Sequence, residues 1–163
     1  MIGIISDTHD NIPHVLKAVQ KFKEREVEVV LHLGDIVAPA TVPFFEGLNM
    51  KFLKGNCDGD VEMIKKKIEA IDGEWLGLSA EMKVDKKQIG LCHGNDRRKL
   101  DSMINCGKYD YVLHGHTHER RDDHIGNTRV INPGGHYNSP SQPEHTIAIL
   151  DVDKDQVEFI EIK

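Results

Sequence analysis

Aromatic residues are scarce in this chain, at 6% with one tryptophan, and there are only three cysteines. Cys57, Cys92 and Cys106 are odd in number and far apart. That speaks against a disulfide framework and against a CxxC zinc site. No run of about 18 apolar residues is present, so no candidate membrane helix exists. The opening residues, MIGIISDTHD, lack the charged region and long apolar core of a signal peptide. The expected compartment is therefore a reducing cytoplasm. Basic charge is not in excess either: the net charge is −6. Indiscriminate nucleic-acid binding needs a basic footprint, so no stable nucleic-acid complex is expected. A phosphate-bearing substrate stays open, because bound cations would invert the local sign.

What is present is a globular composition, 39% hydrophobic and 29% charged over 163 residues. It predicts a single domain over residues 1–163 with a real core. Short apolar runs at 2–5, 27–33, 51–54, 109–113 and 128–131 read as strands. Helices are expected from Pro13, with Asn11 as a cap, over 61–71, and around Leu100, Met103 and Ile104, with a shorter one at 41–48. Residues 81–91 read as a hairpin turning at 85–87, and the C-terminus as two strands joined at DKDQ. Strands alternating with helices and then hairpins predict an α/β layered fold, with a mixed sheet or two packed sheets.

Ten histidines are present, and several sit beside Gly or Asp. Five apolar runs end in small polar clusters: SDTHD, GD, GNCD, HGN and HGHTH. Ligand sites form outside the carboxyl ends of strands in open α/β sheets, so these clusters can converge. Their possible metal ligands are Asp7, His9, Asp35, Asn56, His93, His114, His116 and His118. Imidazole, carboxylate and one amide suit Zn, Fe, Mn, Co or Ni. The supply exceeds the needs of one tetrahedral ion and matches two ions sharing a carboxylate. In an extended GHTH, His116 and His118 point the same way, with His114 behind them in a packing or orienting role.

The ordered set Asp7-Thr8-His9, Gly34-Asp35, Gly55 to Asp58, His93-Gly94 and Gly115 to His118 resembles the calcineurin-like metallophosphoesterase superfamily. The short length, GNCD and NPGG resemble its small bacterial and archaeal phosphodiesterases. The resemblance implies two mixed β-sheets packed as a sandwich flanked by helices. It implies two divalent metal ions, one held by Asp7, His9 and His118, the other by Asn56, His93 and His116, with Asp35 bridging. Asp35, Asn56 and His116 are the catalytic candidates. The implied reaction is hydrolysis of a small phosphodiester by hydroxide attacking in line with the leaving alkoxide. A homodimer is compatible with the resemblance. A scaffold that keeps the fold without catalysis, and a phosphomonoesterase, are the alternatives.

One position departs from the family's commonest form. Cys57 stands where many members carry a histidine thought to protonate the leaving oxygen or to stabilise the transition state, and a thiol is a poor replacement. Activated or aryl esters are therefore the expected test substrates, with His136 an alternative proton donor. Arg97, Arg98, Lys99, Arg120 and Arg121 could hold a phosphate or lie in solvent. Trp75 and Tyr137 could line a pocket or pack. Cys92 is expected to be buried, and Asp58 to orient loop amides or a ligand.

Overall fold

Strands whose residues are apolar on both faces need cover on both sides, and that requirement organises the whole structure. A computed structural model describes residues 1–137 and 144–163. Strands β1 (Ile2–Ile5), β2 (Val29–His32), β3 (Met50–Leu53) and β4 (Glu74–Gly77) run parallel in one sheet, extended by β10 (Thr146–Asp151) and β11 (Gln156–Glu161) in the order β11-β10-β1-β2-β3-β4. A second sheet has the order β5-β6-β7-β9-β8, from β5 (Ser79–Val84), β6 (Lys87–Cys92), β7 (Tyr111–Leu113), β8 (Arg120–Ile125) and β9 (Thr128–Pro133).

Successive residues of each strand enter different cores. Ile4, Leu31, Leu53, Leu91, Leu113, Ile131 and Leu150 meet between the sheets. Ile5, Val30, Phe52 and Ile149 point the other way, against α1 (Ile12–Glu24) and α2 (Val61–Ala70). Val112 and Val130 face α3 (Arg97–Asn105). The layers are thus helices, sheet, sheet, helix, as the resemblance implied. Each α-helix starts on a side-chain cap: Asn11, Asp60 and Asp96 accept from the backbone N–H of His14, Met63 and Lys99.

Three elements differ from the sequence expectation. The helix read at 41–48 is a 3-10 helix, Pro39–Phe45, with Pro43 inside it. Proline has no N–H to continue an α-helical ladder. Strands β4 and β8 were not expected at all. β8 reads RRDDHI and is nearly all exposed; it carries no apolar face because, among the described strands, it pairs only with β9 at the sheet edge. No helix among the described residues is long and apolar enough to cross a membrane.

Candidate metal centre

Parallel pairing brings the carboxyl ends of β1, β2 and β3 to one side, and those of β6, β7 and β9 to the same region. Backbone bonds stitch the loops there. Asp7 N–H donates to Gly34 O (3.0 Å), His9 N–H to Asp35 O (3.1 Å) and Gly115 N–H to His93 O (2.8 Å). A side chain at Gly115 would lie 1.9 Å from Ser6 Oγ, so only glycine lets the HGHTH loop close on β1's end.

Six of the residues singled out above converge. Asp7, His9 and His118, then His9, Asp35 and Cys57, then Asp7, Asp35 and His93 each bring three ligand atoms within 4.8 Å of one another. His118 Nε2 lies 3.3 Å from Asp7 Oδ1 and 3.3 Å from His9 Nε2. Asp35 Oδ2 lies 3.4 Å from His93 Nε2 and 3.7 Å from His9 Nε2, while its Oδ1 accepts from Cys57 N–H at 2.7 Å. Asn56 Oδ1 is 3.1 Å from His93 Nε2.

The geometry around His93 calls for a cation. Its Nδ1 is 2.8 Å from the Leu33 carbonyl, which only accepts, so Nδ1 carries the proton. The other nitrogen then faces oxygens of Asn56, Asp35 and, at 3.9 Å, Asp7. A lone pair set against three oxygens is unfavourable; a proton or a metal ion resolves it. Burial pulls the His93 pKa down, but the Asp35 hydrogen bond and the Asp7 and Asp35 charges more than offset it, and the net shift is upward. Asp7 Oδ1 is buried with no hydrogen bond among the described residues; it faces His118 Nε2 at 3.3 Å, and a cation set between the two would satisfy both. Burial raises Asp7 and Asp35, yet the neighbouring imidazoles, with the Cys57 N–H for Asp35, hold both below the ordinary carboxylate value. The donor set of imidazole and carboxylate fits borderline divalent cations.

His116 is placed differently. It is exposed, its ring centroid is 5.2 Å from that of His93, and its backbone N–H donates to Asp7 Oδ2 at 2.9 Å. The extended GHTH expected from sequence does not form. β7 ends at Leu113, and His116 and His118 turn with φ of 68° and 61°. Turn geometry, not strand pleat, aims these rings. His114 is buried behind them, its Nδ1 3.0 Å from Gly115 O, and burial lowers its pKa to about 4.

Asp58 orients loop amides, accepting from Gly55 N–H (2.6 Å), Val37 N–H (2.9 Å) and Asp35 N–H (3.3 Å). Asn132 does similar work unforeseen from sequence. Its amide bonds Gly115 O (2.9 Å) and Thr117 Oγ1 (3.0 Å), and NPGG was its only signal. Asp10 was also missed; it ties Ala38 N–H and Thr41 to the first loop. Trp75 packs into the helix-side core, whereas Tyr137 is exposed with its ring 5.2 Å from His9. Cys92 is buried, as expected. His136 is fully buried beside His14 and His145, and burial lowers its pKa to about 3, so it holds no imidazolium proton to give near neutral pH. Arg97, Arg120 and Arg121 line a cleft of about 390 Å³ that includes His116. Each is ion-paired outside it, with Asp101, Glu144 and Asp123.

Comparison with known proteins bears on the fold and the family. The chain is 36% identical over 159 residues to a phosphodiesterase of Methanocaldococcus jannaschii, covering 94% of this chain and 93% of that one. A solved archaeal phosphodiesterase superposes with a TM-score of 0.91 at 33% identity, covering 98% of both chains. Vps29 from Entamoeba histolytica shares the fold at a TM-score of 0.70 and 21% identity, covering 99% of both. Residues 1–155 match the model of the calcineurin-like phosphoesterase superfamily domain, and the chain belongs to that superfamily.

Proposed function

We propose that this chain is a phosphodiesterase whose centre takes two divalent cations and acts on small phosphodiesters. The observation that carries the reading is the shared use of Asp35, whose Oδ2 faces both His9 and His93. When bound, the cations would neutralise phosphate oxygens and acidify a water molecule toward neutral pH. Asp7, His9 and His118 would hold one ion, and Asn56, His93 and His116 the other. Asp35 would serve both, its second oxygen restrained by the Cys57 N–H. His116, exposed at the rim, is also placed to meet substrate.

The chain offers little help to a poor leaving group. Cys57 occupies the position from which a proton would come, and burial with the Asp35 hydrogen bond pushes its thiol up to about 11. Aryl diesters, whose leaving groups need no proton, should therefore outpace alkyl diesters. The test is hydrolysis of a chromogenic aryl diester and its matching monoester by metal-stripped protein, with Mn, Ni, Co, Zn and Mg added back singly. Diester cleavage that needs metal and falls by more than about 100-fold in Asp35→Asn is expected, beyond the effect of losing a group that merely orients a ligand. Faster monoester cleavage would make the chain a phosphomonoesterase; no turnover despite bound metal would leave a non-catalytic scaffold.

A further inference from the structure

The loop after β3 carries a sulfur into the centre in a defined arrangement. Asn56 turns its amide oxygen to His93 Nε2 and its nitrogen to Cys57 Sγ, 3.3 Å away. An amide nitrogen only donates, so it presents an N–H to sulfur as the acceptor. On the other side lies Asp35, whose Oδ1 accepts from the Cys57 backbone N–H at 2.7 Å. Sγ, a ring nitrogen of His9 and an oxygen of Asp35 lie within 4.8 Å of one another. Sulfur, imidazole nitrogen and carboxylate oxygen drawn together in this way are a donor set that one cation can share. Asp7 belongs to the overlapping groups of the same centre, and its buried Oδ1 has no hydrogen bond among the described residues, with only the His118 ring 3.3 Å away to offset its charge.

We propose that Cys57 is a further metal ligand, binding one divalent cation through Sγ together with His9 and Asp35. This rests on the metal-centre reading above. On binding, the S–H bond breaks, its proton passes to solvent, and its electron pair forms the sulfur–metal bond; nothing is oxidised. Cys57 is thus a ligand in the position of an acid. Thiolate is softer than imidazole or carboxylate, so the centre favours Zn and Co over Mn and Mg more than an oxygen and nitrogen set would.

The experiment is cobalt loading of the full, metal-stripped chain, followed by absorption spectroscopy and elemental analysis. A sulfur-to-cobalt charge-transfer band in the near ultraviolet is expected. It should vanish in both Cys57→Ser and Cys57→Ala and persist in Cys106→Ser, which alters the other exposed thiol. The preference for Zn over Mn should fall about tenfold in Cys57→Ser. Two cobalt ions bound with no such band, or a band that survives Cys57→Ser, overturns the assignment of Cys57 alone. No cobalt bound overturns the metal-centre reading and this inference with it.

Discussion

Asp7, His9, Asp35, His116 and His118 all have left-handed backbones, with φ between 42° and 68°. Such conformations cost a non-glycine residue of order 1 kcal/mol and persist where surrounding structure over-determines them. Here the loop-to-loop hydrogen bonds and two close-approach glycines do so. Gly55 faces two atoms at once: a Cβ there would sit 2.1 Å from Asp35 Oδ1 and 2.2 Å from Asp35 N. Neither atom can retreat without breaking the bonds from Cys57 N–H or to Asp58. Gly55→Ala should destabilise the chain by about 1–3 kcal/mol or more, the range for overpacking. Urea unfolding of metal-stripped protein measures it, and a change below about 0.5 kcal/mol would show that the loop is looser than described.

At the scale of elements, the end of β2 shows how a strand supports the centre without entering it. His32 is buried and stacks on Phe52. Gly34 N–H donates to its Nδ1 (3.3 Å), so Nε2 carries the proton and donates to Thr8 Oγ1 (3.0 Å). The ring therefore ties the GD loop to the first loop only while neutral. Burial lowers its pKa from 6.5 to about 4. Between those values the unfolded chain binds the extra proton and the folded chain does not. The stability contributed by neutral His32 is complete above about pH 6.5 and is lost as pH falls toward about 4. Nitrogen NMR of the ring should show the Nε2–H tautomer down to about pH 4; titration near 6.5 would contradict it.

For the whole molecule, the proposed ligands come from both sheets: Asp7, His9 and Asp35 follow strands of one, His93 and His118 strands of the other. A cation held by both sets ties the sheets together and binds only the folded chain. Each site filled at about 100 times its dissociation constant adds roughly 2.7 kcal/mol. Stripping metal from one such site should lower Tm by roughly 5–10 °C in a chain of this size. Calorimetry with and without chelator reads the shift, and an unchanged Tm would count against ligands bridging the two sheets.

Much of this was legible beforehand. Ile2–Ile5 and Val29–His32 are apolar on successive residues because both faces are covered, so their existence followed from sequence alone. The small polar clusters after them could be read as one site because parallel strands deliver their ends to one side. Local sequence could not reveal β8, since an exposed edge strand is defined by its partner and not by its own pattern. Nor could it reveal that His116 and His118 leave the strand pleat, because their φ values are imposed by packing of the HGHTH loop against Ser6 and Asp7. The sequence by itself determined the layers and the donor types. Only the tertiary structure decided which donors meet, including Cys57 against Asp35 across 22 residues, because contact between distant loops is set by strand order and not by spacing along the chain.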